Sequence, residues 1–188
     1  MTVIDVIKKR RSIGRVKEED VPDDVIRTLL DAAVWAPNHR KTEPWKFRVI
    51  KGDARVKLGE KMAEITAKGL EGTDREEAER KIEKAKKNPL RAPAIIVIAA
   101  SPTGKVPEIE EIVACGCAMQ NLLLAATEMG LATYVRTGDI AFSRELHQYL
   151  QLDEKDQIIG MVYIGYPEKE LDVKGIRTPA EEKTVWFH

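Results

Sequence analysis

The sequence predicts a single α+β or α/β domain over residues 1–188, and three observations point to it. Apolar residues recur at helical spacing in several segments, and short apolar runs between them have the length of strands. The order of these elements is not the strict strand–helix alternation of a doubly wound sheet. With 188 residues, 43% of them hydrophobic and 33% charged, the chain can bury a core without disulfides or a structural metal.

Val3, Ile4, Val6 and Ile7 make the first ten residues a helix, interrupted at Ser12, Ile13 and Gly14. A second helix runs through VPDDVIRTLLDAAVWAP, with Asp23 or Asp24 in the cap region and Pro37 as its stop. Trp45 to Ile50 reads as a strand with Trp45, Phe47 and Val49 on one face. Residues 54–69 and 74–88 read as charged amphipathic helices, the second a surface element or mobile cover. The run Ala94 to Ala100 is the pattern of a strand buried on both faces.

Residues 108–130 form the longest helix. From Ile112 to Ala126 it is apolar nearly all round, which predicts burial on more than one side. Gly130 ends it, and Leu131 to Arg136 is a strand. A short helix over 143–150, capped by Ser143, precedes the last core strand, Gln157 to Gly165. The tail from Tyr166 carries no helix pattern, yet ends in Val185, Trp186 and Phe187, which need a surface to pack on.

Several chemistries lack their residues. The 31 basic and 31 acidic side chains cancel, so no broad field draws the chain to nucleic acid. Apolar runs fall short of the roughly 18 residues of a membrane span, and the first charges follow the first apolar residues, so a cytoplasmic protein is the expectation. No G-x-G, Walker or G-x-S-x-G motif occurs. His39, His147 and His188 lack metal-ligand spacing, and Cys115 and Cys117 point to different helix faces as small core residues, so no metal is expected.

Four segments could bind a small molecule. Arg10-Arg11-Ser12 offers two guanidinium forks and a hydroxyl, a donor set that suits a phosphate, although a solvated basic helix end reads the same way. The loop from Trp35 through His39 to Trp45 is either a site or a connection with core tryptophans. Val135-Arg136-Thr137-Gly138-Asp139 ends a strand, and Lys174 to Pro179, including Arg177, is a basic stretch of the tail. Each is either a ligand contact or a solvated turn.

In their order, RRSIGR, APNHRKTEPWKF, the small-residue helix, GLATYVRTGD, IIGMVYIGYP and the basic tail resemble the nitroreductase family of FMN-dependent oxidoreductases, and most of all its compact bacterial-type members. The resemblance implies an α+β fold with a central, mostly antiparallel sheet flanked by helices, in an intertwined homodimer with FMN at the interface. It places Arg10, Arg11, Ser12, Trp35, His39, Val135, Arg136, Thr137 and Arg177 around the cofactor. No side chain would be catalytic, because FMN N5 carries the chemistry. NADH or NADPH would be the transient reductant, and a nitroaromatic or quinone the acceptor, in a ping-pong cycle. The alternatives are a flavin-binding sensor or store, or a related flavin enzyme such as a dehalogenase. Gly14, Lys41 and Glu43 depart from common family residues.

Overall fold

A computed structural model describes residues 2–70, 72–169 and 175–188. In chain order the main elements are α1 (Val3–Lys9), α2 (Asp23–Ala33), β1 (Trp45–Lys51), α3 (Asp53–Lys68), α4 (Arg75–Lys87), β2 (Ala94–Ala100), α5 (Glu108–Glu128), β3 (Ala132–Arg136), α6 (Arg144–Tyr149) and β4 (Gln157–Gly165). The strands form one sheet in the order β1-β2-β4-β3, antiparallel throughout. The fold is α+β, as expected. β2 and β4 occupy the middle of the sheet, which is why AIIVIAA has no polar face.

Period-two alternation sorts the strand side chains into two layers. Ile96, Ile98, Val162 and Ile164 pack with Ile26 and Leu29 of α2 and Ala118 and Leu122 of α5. Ile95, Val97, Met161 and Tyr163 pack on the other face with Leu58 and Met62 of α3 and Leu146 of α6. By length and by a mean hydropathy of 1.4 over 18 residues α5 could cross a membrane, but here it is the core helix of the first layer.

Several elements differ from expectation in instructive ways. Asp23 and Asp24 lie in the first turn of α2, after Pro22 at the cap position, and no side chain among the described residues caps the helix; the Asp23 carboxylate accepts from Lys51 Nζ at 2.7 Å. α2 stops at Ala33, before Pro37, where Asn121 Nδ2 donates to the Ala32 carbonyl. α5 is buried toward the sheet and α2 but not all round: Ile109 and Val113 are more than half exposed. Val3 and Ile4 of the neighbouring α1 are also bare, so two helices share one uncovered apolar surface.

α4 lies across α3 at Gly59. A Cβ built on Gly59 would stand 2.2 Å from the Lys86 carbonyl oxygen, so the two backbones touch where a side chain would separate them. α4 buries no residue of its own, as a charged surface helix should, but it is seated in contact with α3. Of the expected cover over 70–90, Glu71 lies outside the described residues.

Candidate functional site

The first turn of α1 is closed by a capping box, in which the Asp5 amide donates to Thr2 Oγ1 and the Thr2 amide to the Asp5 carboxylate. At Arg10 the backbone leaves the helix and becomes extended. Ser12 then bridges Thr133 of β3 in parallel, and the Ile13 amide donates to the Thr133 carbonyl at 2.8 Å. The Lys17 amide bonds to the Tyr166 carbonyl, also at 2.8 Å. These bonds fix Arg10, Arg11 and Ser12 beside the free edge of β3, the strand that ends in Val135 and Arg136 and runs on into Thr137.

Arg10 is half-buried and pairs with no carboxylate among the described residues. Arg11 Nη1 donates to the Lys8 and Arg10 carbonyls at 2.6 and 2.7 Å. Arg136 lies over the rings of Tyr134 and Tyr163, 5.0 and 5.3 Å from their centroids. A cleft of about 340 Å³ opens here, walled by Arg11, Ser12, Ile13, Gly14, Arg15 and Lys169, with the carboxylate of Glu168 set among these donors. The tail returns to the cleft, because Gly175 lies directly against the Arg11 guanidinium. Arg177 is exposed and donates to the Ile176 carbonyl, so it does not join the cluster by direct contact. Lys174, from the same basic stretch, lies outside the described residues.

Of the expected cofactor contacts, Arg11 and Ser12 line that cleft, whereas Arg10, Trp35, His39, Val135, Arg136, Thr137 and Arg177 do not. Trp35 is 86% exposed. His39 Nδ1 meets Glu110 Oε2 of α5 at 2.5 Å, at the rim of a second pocket of about 410 Å³ that also includes Asn38, Val113 and Cys117. The fold therefore brings Arg11 and Ser12 together at the cleft, strings Val135, Arg136 and Thr137 along the end of β3, and seats His39 apart from both, against α5.

The loop over the second pocket is strained. Arg40, Lys41 and Glu43 all have positive φ, at 51°, 53° and 45°. Asn38 holds it in place, its Oδ1 accepting from the Glu43 amide and its Nδ2 donating to the Ala36 carbonyl. Lys41→Gly is expected to stabilise the protein by about 1 kcal/mol, because glycine adopts that conformation without a Cβ penalty. Thermal unfolding reads this as a rise of about 2–4 °C, and a fall would contradict the strain.

Glu111, next to Glu110, is 1% exposed and anchors the following loop, accepting from the Thr103 amide at 2.9 Å and its hydroxyl at 2.7 Å. Burial pushes the Glu111 carboxyl up, but these donors outweigh it and hold it below the usual range. Asp156 is alike: burial raises it, and Lys46 Nζ at 2.8 Å with the Asp153 amide brings it down. A depressed folded pKa adds stability that is present above the unfolded value near 4 and is lost as pH falls through the folded value. The melting temperature is therefore expected to fall below about pH 4, and to fall less steeply in Glu111→Gln. An unchanged acid slope would remove Glu111 from this account.

Neither Glu110, Glu111 nor Tyr163 was legible as a site neighbour in the sequence. The two glutamates read as first-turn charges that offset the helix dipole, and only the fold turns one inward. Cys115 is a buried core residue, as expected, and burial pushes its thiol up to about 12, so it is no nucleophile. Cys117 departs from that expectation, since it is half-buried and lines the second pocket.

The cleft at Arg11 and Ser12 has room for a ligand that carries an anionic tail. Its guanidinium and hydroxyl donors fit a phosphate, and its size fits a ring. The α+β sandwich and this cleft define a class of small-ligand-binding domain whose hard chemistry belongs to a bound group. Compared with known proteins, residues 7–166 match the nitroreductase family, and the chain belongs to that family. It is 30% identical over 181 residues to "Putative NAD(P)H nitroreductase YfhC" of Bacillus subtilis, covering 95% of this chain and 91% of that protein. The fold is similar to a nitroreductase-like family protein of Bacillus cereus, with a TM-score of 0.85, 29% identity and coverage of 100% and 96% of the two chains. A Desulfovibrio desulfuricans structure in complex with FMN superposes with a TM-score of 0.74 at 26% identity, covering 100% of this chain and 98% of that one.

Proposed function

We propose that the chain, as one FMN-binding domain in a homodimer, uses NADH or NADPH to reduce nitroaromatic or quinone-type acceptors. The observation that carries this reading is the Arg10-Arg11-Ser12 cluster, pinned to Thr133 beside a cleft of ligand size. Family membership and the FMN complex of the Desulfovibrio relative support it.

Arg10, Arg11 and Ser12 have the charge and donors to hold the FMN phosphate. Arg177 is the proposed further cation, on a tail that already reaches Arg11 at Gly175. Val135 and Thr137 sit where β3 ends, and Arg136 between them would offer the flavin ring a positive charge. Bound there, FMN supplies hydride transfer at N5, and no side chain need act as nucleophile. The nicotinamide and the acceptor would use the same open face in turn, which is the ping-pong order.

Trp35 and His39 would complete the site from the second subunit. The exposed Val3, Ile4, Ile109 and Val113 support a dimer across α1 and α5, and Val185, Trp186 and Phe187 give the tail an apolar end to lay on a partner. Val113→Asp is expected to shift the protein from dimer to monomer in sedimentation velocity and to lower flavin content with it. A Val113→Asp dimer with full flavin would place the interface elsewhere.

The function itself is tested by steady-state kinetics with NADH or NADPH against a nitroaromatic and a quinone. Parallel double-reciprocal lines are expected, and intersecting lines would contradict ping-pong turnover. Bound flavin with no turnover of any acceptor would favour the storage or sensing role.

A further inference from the structure

A second, much smaller cavity lies behind the Ile13-Gly14 wall of the cleft. Its volume is about 10 Å³, room for one particle the size of a water molecule. Arg91, Arg136, Tyr134 and Tyr163 supply its polar side chains, and no carboxylate lines it. Tyr163 is 4% exposed, and its hydroxyl is buried with no partner among the described residues. Neither Arg91 nor Arg136 makes a side-chain hydrogen bond or ion pair among those residues.

This combination is unusual on physical grounds. A buried hydroxyl without a partner costs about 1–3 kcal/mol, and two guanidinium groups beside one cavity repel each other. Burial also pushes the Tyr163 phenol up to about 12, so at neutral pH it is a donor and carries no charge that could offset the arginines. The wall thus presents positive charge and a donor without an acceptor. A water molecule would satisfy Tyr163 alone, whereas an anion would also pair with the half-buried Arg136 and be reached by the solvent-exposed Arg91. Phosphate, sulfate and carboxylate are too large for the space.

We infer that Arg91, Arg136 and the Tyr163 hydroxyl form a binding site for a single monovalent anion of halide size. Arg91 lies at the end of the turn Asn88–Arg91, after α4, and Tyr163 and Arg136 come from β4 and β3. The site therefore ties the α4 connection to the sheet. It shares Ile13 and Gly14 with the larger cleft, and Arg136 with the proposed flavin site, whose occupancy is read apart from the anion.

The test is bromide, supplied to the purified protein in place of chloride. In crystals, an anomalous peak is expected in contact with Tyr163 Oη and the guanidinium groups. In solution, the melting temperature should rise with bromide to a plateau, above the response to acetate at equal ionic strength. Tyr163→Phe keeps the ring and should weaken bromide binding about 2- to 10-fold, and Arg91→Gln, at an exposed position, about 10-fold or more. Three results would overturn the inference: no bromide peak, a melting temperature that follows ionic strength alone, or binding that survives both substitutions. Flavin content is read separately from the visible spectrum, so failure here leaves the cofactor reading untouched.

Discussion

Arg10→Ala is expected to weaken FMN binding by about 10- to 150-fold, the value of one or two hydrogen bonds to a charged group. The flavin-free protein should melt where the parent does, because Arg10 has no carboxylate partner to lose among the described residues. Quenching of free-flavin fluorescence on titration measures the first, and thermal unfolding the second. An unchanged affinity would remove Arg10 from the phosphate site. A large drop in melting temperature would make it a structural residue.

The second large effect concerns stability. In a helix interior, glycine to alanine is normally favourable by about 1 kcal/mol. At Gly59 the sign should reverse. A Cβ there stands 2.2 Å from the Lys86 carbonyl, an approach that only movement of α4 can relieve. Gly59→Val adds two further methyl groups at the same contact, and the overpacking cost is about 1–3 kcal/mol or more. The expected fall in melting temperature is about 2–4 °C per kcal/mol for a chain of this length. Hydrogen exchange should localise the loosening to α4 and the facing turns of α3. A Gly59→Val protein as stable as its parent would mean that α4 is only loosely seated, the mobile cover that its charged sequence suggested.

Much of the fold was legible because its signals are local. AIIVIAA between Pro93 and Pro102 has one reading, a central strand, and the structure places it there. Ser143 and Gly130 marked helix ends by capping chemistry that acts within a turn, and both do so, with Gly130 at φ 76°. Pro37 sets only a local limit on α2, which ends earlier, at Ala33, where the distant Asn121 bonds to the Ala32 carbonyl. The same distinction runs through the candidate site. Arg10, Ser12 and Arg136 could be nominated by residue type, but only the fold shows that Ser12 is the one bridged to β3, at Thr133, far away in sequence. Tyr163 was read only as part of an apolar strand. Its unpaired hydroxyl depends on what Arg91 and Arg136 bring from elsewhere.

The apolar surface of α5 was read as buried on more than one side, and it is, toward the sheet and α2, while Ile109 and Val113 stay exposed. Sequence pattern reports how much apolar surface must be covered, not which molecule covers it. A dimer across this face is the proposed cover, and the same proposal brings Trp35 and His39 to the cofactor from the second subunit.

The central claim, a flavin that accepts hydride from a nicotinamide, is tested most directly by the visible spectrum of the purified protein without oxygen, before and after NADH or NADPH. The account predicts the two absorption bands of an oxidised flavin, bleached by at least one of the nicotinamides. A colourless protein that also takes up no added FMN would contradict it.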